Sequence, residues 1–309
     1  MNEIKLFCPA SVANVSCGFD VLGFCLDRIG DEMVIRKTFE KGIQILKIDG
    51  QNLPLETMKN VAGVAGLALL KAHPVGFGFE IEINKGIKAG SGIGSSAASS
   101  AGAVFGINEL LGRPFNRKEL IQFAMKGEEL ASGVPHADNV APVLLGGFTL
   151  VRSSKEPDVI GLPTPTQLYA TVLHPKIELK TSDARAVLKK NILLEKAIEQ
   201  WGNLAALVSA LYTNDYDLIG RSLVDVVVEP HRSALIPGFH YLKEAAIQTG
   251  ALGSGISGSG PSMFALSKGK ETAVLVGEAM SKAFESYSIE FELHISKINP
   301  EGIHIISSK

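Results

Sequence analysis

Gly90-Ser-Gly-Ile-Gly-Ser-Ser96 stands between a run of alternating apolar residues, Phe77 to Ile83, and a stretch of small and apolar residues at helical spacing, Ser95 to Leu111. Strand, glycine turn and helix in that order turn several unpaired amide N–H groups toward whatever sits at the helix start, and such a start attracts phosphate. Glycine permits positive φ and close backbone approach, Ser95 and Ser96 add hydroxyl donors, and Lys85 or Lys88 can reach in from the preceding loop. The same residues also read as a plain turn before a helix packed through its alanines and serines. The Walker pattern GxxxxGK(S/T) is absent, which argues against an ordinary P-loop.

A second glycine segment, Gly253-Ser-Gly-Ile-Ser-Gly258, satisfies GxGxxG. The strand-like Ser262 to Leu266 follows it where a dinucleotide fold needs a helix, so a nicotinamide or flavin site is not expected. Gly253 to Pro261 reads instead as a second backbone loop closing on the ligand, or as a hairpin connection.

Working outward, short β-like runs are expected at Ile4 to Cys8, Glu32 to Thr38, Gly42 to Ile48 and Phe77 to Ile83, with a helix at Leu55 to Ala72 between them. Gly112 and Pro114 stop the helix that begins at Ser95. Asn116 caps the next, with Glu119 as reciprocal partner, and Gly133 and Pro135 end it. Val143 to Arg152 reads as a strand. Ser153 to Gln167 holds three prolines and several charges, which sets the expected division into residues 1–155 and 156–309. The second half reads as a strand at Leu168 to His174, helical sequence from Ser182 to Thr249 broken near Asn191, Asn214 and Pro230, strands at Ala251 to Ile256 and Ser262 to Leu266, a helix from Glu271 to Ser286, and strands at Ile289 to Ile295 and Ile303 to Ile306. This mixture is α+β rather than a regular βαβ series.

Composition narrows the function. With 46% hydrophobic residues in 309, the chain can bury one large core or two ordinary ones. Thirty basic against 32 acidic residues leave a net charge of -2, so no broad field holds nucleic acid or an anionic membrane, and an anionic ligand needs a local site. Cys8, Cys17 and Cys25 match neither zinc nor redox spacing, and their odd number argues against a disulfide framework; a cytoplasmic setting is expected. No apolar stretch reaches the length of a membrane span, and the first residues lack the pattern of a secretion signal.

Three separated segments together resemble the GHMP kinases: Pro9-Ala-Ser-Val-Ala-Asn14, Gly90-Ser-Gly-Ile-Gly-Ser-Ser-Ala-Ala98 and Gly255-Ile-Ser-Gly-Ser-Gly-Pro261. Pro9 to Gly23 (PASVANVSCGFDVLG) and Pro135 to Pro142 (PHADNVAP) narrow the likeness to the homoserine kinase family. The resemblance implies a ribosomal-protein-type α+β N-terminal domain, a ferredoxin-like C-terminal domain, ATP bound between them with Mg²⁺, L-homoserine as acceptor, and a homodimer. Lys88 and Ile93 depart from the residues frequent at their positions, proline and leucine.

By resemblance, Lys88, Gly90, Ser91, Gly92, Ile93, Gly94, Ser95 and Ser96 form the phosphate loop, and Asn60 contacts the adenine or ribose, although an Asn helix cap explains Asn60 almost as well. Ser96 and Glu128 match the metal-holding hydroxyl and carboxylate, with Glu129 as the alternative if the register slips by one. Asn139 follows Glu128 by 11 residues, where mevalonate-kinase-like relatives carry a catalytic aspartate. Asparagine is no general base, so Asn139 is expected to orient the acceptor hydroxyl, with Asp138 a structural turn residue or a competing base. Free homoserine carries an ammonium and a carboxylate; Asp20 with Asn14 suits the first, and Arg185 and Arg232, helped by Thr181 and His136, suit the second. A GHMP kinase for another small alcohol, mevalonate-like or a sugar, and a catalytically silent ligand sensor of the same fold are the alternatives.

Overall fold

The computed structural model describes residues 1–309. The first half forms strands β1 (Glu3–Ala13), β2 (Leu22–Thr38) and β3 (Gly42–Asp49), helix α1 (Val61–Ala72), strand β4 (Gly78–Asn84), helices α2 (Ser95–Leu110), α3 (Arg117–Ser132) and α4 (Ala137–Leu145), and strands β5 (Phe148–Ser153) and β6 (Asp158–Leu162). The second forms β7 (Leu168–Pro175), α5 (Thr181–Ala186), α6 (Leu194–Thr213), α7 (Tyr216–Ser222), α8 (Glu229–Arg232), α9 (Phe239–Gln248), β8 (Gly253–Ile256), β9 (Met263–Lys268), α10 (Lys270–Glu285), β10 (Phe291–Lys297) and β11 (His304–Ser308).

One sheet runs β11-β1-β2-β4-β3, with β5 pairing the start of β2 and β6 pairing β5. Its inner face, including Leu6, Met33, Ile35 and Ile81, packs on α1 and α2. Helix α2 is buried along almost its whole length, which its Ala, Ser and Gly residues permit. A Cβ on Gly102 would lie 2.7 Å from Cys8 Sγ, and one on Gly106 would lie 2.5 Å from Ile35 Cδ1, so the helix rests on the sheet through its glycines.

The second sheet, β10-β7-β9-β8, is antiparallel throughout and backed by α9 and α10. Numbered within itself, its order is 4-1-3-2 with helices after the first and third strands, the βαββαβ ferredoxin-like plan. Leu168, Ala170, Val172, Phe264 and Leu266 of this sheet join the core of the first, so the halves share one apolar body.

Several local expectations change. Val143 to Leu145 belongs to α4, not to a strand; a short apolar run has no period that separates helix from strand, and Pro142 masked the helix. The expected helix at Leu55 to Ala72 begins as a 3₁₀ turn at Thr57–Lys59 and restarts at Asn60. The 155/156 division falls in the turn joining β5 and β6, both strands of the first sheet. The sheets change between Leu162 and Leu168, and β11 returns to pair with β1.

Candidate active site

Both glycine segments meet at one cleft. Gly90, Gly92 and Gly94 all have positive φ, +74°, +83° and +74°, and Gly94 is the residue from which α2 starts. Ser257 Oγ donates to the Gly92 carbonyl at 2.8 Å, and Ser262 donates to the Ser91 carbonyl through N–H at 3.3 Å and Oγ at 2.6 Å. The second loop thus braces the first, leaving the opening amides of α2 at the cleft.

Lys85 does not reach toward the cleft. Its Nζ forms a buried ion pair with Asp31 and donates to the Ser95 carbonyl at 3.1 Å and Ser99 Oγ at 3.0 Å, while Asp31 accepts from the amides of Gly86 and Ile87 at 3.0 Å. An ammonium flanked by a buried carboxylate has nothing to gain from moving, so Lys85 anchors the helix start from beneath. Lys88 is exposed, with its Nζ 3.6 Å from Glu292 Oε1.

Ser96 of α2, Glu128 of α3 and Asp138 and Asn139 of α4 line the wall beside the loop. Glu128 Oε1 is buried without a hydrogen-bond partner, and burial pushes its carboxyl up to about 7, countered in part by the Ser96 hydroxyl and the Lys85 charge. Asp138 Oδ1 is likewise unpartnered, and burial with the charges of Asp20 and Glu128 raises that carboxyl to about 7. Glu129 is exposed and pairs with Lys126, whereas Glu128 faces the cleft. Asn139 Oδ1 accepts from Ser11 Oγ at 3.0 Å.

The far end of the cleft is ionic. The chain leaves β1 through three successive left-handed residues, Asn14, Val15 and Ser16, and Asp20 is left-handed too; strain of this kind on residues with side chains gathers at functional sites. Asn14 fixes the turn, accepting from the Asp20 amide at 2.9 Å and donating to the Gly258 carbonyl at 2.6 Å. Arg185 Nη2 meets both oxygens of Asp20 at 2.9 Å and lies 3.3 Å from His136 Nε2. Burial pushes His136 below its usual range, and a neutral ring suits a place beside two guanidiniums. Arg232 is buried, donating to the carbonyls of Ala184 at 2.9 Å and Gly258 at 3.1 Å, and burial lowers it to about 10. Thr181 Oγ1 lies 3.3 Å from Ser259 Oγ.

The cleft therefore gathers Asn14, Asp20, Gly90, Gly92, Gly94, Ser95, Ser96, Glu128, His136, Asp138, Asn139, Thr181, Arg185 and Arg232. Asn60, Lys88, Ser91 and Ile93 do not line it. Asn60 is spent as a helix cap: Oδ1 accepts from Ala62 and Gly63, and Nδ2 donates to Pro54. Ser91 and Ile93 are buried and brace the loop through their carbonyls. Gly258 and Ser259 come from the second loop expected to close on the ligand, whereas sequence reasoning missed Ser11 and Phe19, whose ring lies 5.4 and 5.0 Å from the Arg185 and Arg232 guanidiniums. The signal available for Phe19 was its place beside Asp20.

Residues 53–147 match the family model for the GHMP kinases N terminal domain, and residues 207–286 match that for the GHMP kinases C terminal domain. The homoserine kinase of Chlorobium phaeobacteroides strain BS1 is 45% identical over 99% of this chain and 100% of its own length. The chain belongs to the homoserine kinase family of the GHMP kinases. The homoserine kinase of Xylella fastidiosa strain M12 is 38% identical over 99% of this chain and 94% of its own. A crystal structure of homoserine kinase from Cytophaga hutchinsonii superposes with a TM-score of 0.95 at 50% identity, covering 99% of this chain and 98% of that one. A mevalonate kinase from L. major, at 15% identity and a TM-score of 0.71, shares the fold.

Proposed function

We propose that this chain transfers the γ-phosphate of ATP to the side-chain hydroxyl of L-homoserine, giving O-phospho-L-homoserine for threonine biosynthesis. The observation that carries the reading is the pairing, in one cleft, of an anion-binding helix start with an Asp20–Arg185–Arg232 cluster. A triphosphate requires the first, and an amino acid free at both charged ends requires the second. Mevalonate carries a carboxylate and no ammonium, leaving Asp20 without a ligand partner.

The glycine loop and the first amides of α2 hold the β- and γ-phosphates. Asp20 with Asn14 takes the ammonium; Arg185, Arg232, Thr181 and His136 take the carboxylate. This fixes the hydroxyl beside Asn139 and facing the γ-phosphorus. The new O–P bond forms as the bond to the β,γ-bridging oxygen breaks, its electron pair leaving on ADP and the hydroxyl proton leaving to phosphate oxygen or solvent. Most of the acceleration then comes from orientation and charge stabilisation.

Mg²⁺ is part of this proposal. No group of three or more His, Cys, Asp or Glu side chains is placed to hold a metal. A site built from one carboxylate, one hydroxyl, phosphates and waters suits Mg²⁺, and the unpartnered Glu128 Oε1 beside Ser96 fits it. When bound, the ion neutralises charge on the phosphates. A homodimer completes the reading, and sedimentation at several concentrations tests it.

The deciding experiment offers ATP, Mg²⁺ and a panel of alcohols, then identifies the phosphorylated product. Homoserine should be preferred; equal turnover of mevalonate, or ATP binding with no product, overturns the proposal.

A further inference from the structure

We infer that Ser11 is a positioning residue that decides which end of the Asn139 amide faces the reacting groups. The inference rests on the kinase reading above and deepens it at one atom. Ser11 lies on β1 with no exposed surface, and its hydroxyl donates to Asn139 Oδ1 at 3.0 Å. A serine hydroxyl has one proton to give, and here it goes to the amide oxygen. The Ser11 backbone is held as well, its N–H donating to the Ile93 carbonyl of the glycine loop at 3.2 Å.

Gly94 closes the arrangement. A Cβ built there would lie 2.2 Å from Ser11 Oγ and 3.2 Å from Asn139 Oδ1, so serine, amide and helix start are in mutual contact. Only a residue without a side chain allows it.

The consequence is polarity. Asn139 lines the cleft, its oxygen is engaged by Ser11, and its Nδ2 makes no hydrogen bond within the protein. The amide thus shows the cleft a donor. Facing the acceptor hydroxyl, Nδ2–H takes one oxygen lone pair, leaves the other for attack, and turns the hydroxyl proton away from Asn139. A flipped amide would present an acceptor, hold that proton and place a partial negative charge near the transferring phosphoryl group. Removing the serine hydroxyl removes the preference between these two orientations.

A kinetic double-mutant cycle on the full-length protein, assayed with ATP, Mg²⁺ and L-homoserine, tests this. Ser11→Ala should lower kcat about tenfold or more, a part of the 10²- to 10³-fold that a lost transition-state donor costs, while the KM for ATP changes less than about threefold. Asn139→Ala should lower kcat further. Adding Ser11→Ala to Asn139→Ala should cost nothing more in kcat, because the hydroxyl acts through that amide alone. A serine that merely stabilised the fold would lower kcat by the same factor in either background. A Ser11→Ala enzyme within about twofold of the native kcat, or kcat losses that multiply in the double variant, overturns the inference while leaving the kinase reading intact. Native protein that fails to phosphorylate homoserine overturns the kinase reading itself.

Discussion

Arg185 Nη2 sits 2.9 Å from both carboxylate oxygens of Asp20, joining in one ion pair the two groups assigned to opposite ends of the substrate. Both side chains are about one-third exposed, so the pair contributes about 1 kcal/mol at most and opens cheaply. A zwitterion entering between them exchanges one ion pair for two. Removing either partner therefore does more than delete a contact: it leaves the other with the wrong net charge around it.

Asp20→Asn should raise the homoserine KM by roughly 10- to 100-fold, the worth of one charge-assisted hydrogen bond, and leave the KM for ATP within a factor of about two. Steady-state kinetics with each substrate varied in turn checks it. A homoserine KM within about twofold of native removes Asp20 from the ammonium site.

Arg232→Leu should act on both binding and stability. The buried guanidinium serves the carbonyls of Ala184 and Gly258 as well as the proposed carboxylate. The Gly258 carbonyl keeps its bond from Asn14, but leaving the buried Ala184 carbonyl without Arg232 costs about 1–3 kcal/mol. Urea unfolding should show the lost stability, and the homoserine KM should rise at least tenfold with ATP affinity little changed; an unchanged homoserine KM counts against the role.

Glu128 has its proton affinity raised in the folded state, from an ordinary 4.5 to about 7. The folded protein then binds a proton that the unfolded chain has released, so this group's full stability contribution is present below about pH 4 and is lost as pH climbs through about 7. Asp138, raised from 3.8 to about 7, adds a loss of the same sign over the same range. Glu128→Gln should therefore be more stable than native protein at pH 8 and comparable near pH 4, while turnover at ordinary Mg²⁺ concentration falls. Denaturant melts at the two pH values check the stability, and equal native and variant stability at pH 8 would contradict it.

Gly92→Ala should cost activity steeply. Its φ is +83°, and a Cβ there would lie 2.6 Å from the Gly260 carbonyl oxygen, driving the two loops apart. Gly112 has a similar φ of +86° with nothing within 4 Å, so Gly112→Ala should lose only about 1 kcal/mol of stability and keep its kcat. Comparing kcat and ATP affinity of the pair separates loop geometry from backbone strain; matched activities would show that the contact between loops is dispensable.

Much of this was legible in residue order. Glycine and proline punctuation, the Asn116 cap and the small residues of α2 carry local physics, and the structure follows them. The strand expected at Val143 to Arg152 is present from Phe148, but its first residues belong to α4, because burial on all sides erases the period that separates helix from strand. Lys85 looked like a phosphate ligand because nothing in the sequence announced that Asp31, 54 residues away, would claim it. Arg185 and Arg232 came from motif resemblance; that Phe19 lies beside both guanidiniums is a fact of packing alone.

Strand β1, which carries Ser11 and leads into Asn14, is flanked by β2 on one side and by β11 on the other, with Ile4 opposite Ser308. Two stretches far apart in the chain therefore lie edge to edge. A nascent chain emerging from the ribosome can assemble the second sheet first, but its amino-terminal half waits, one edge of β1 unsatisfied, until residues 304–308 arrive. Removing those residues should loosen a catalytic surface they never touch.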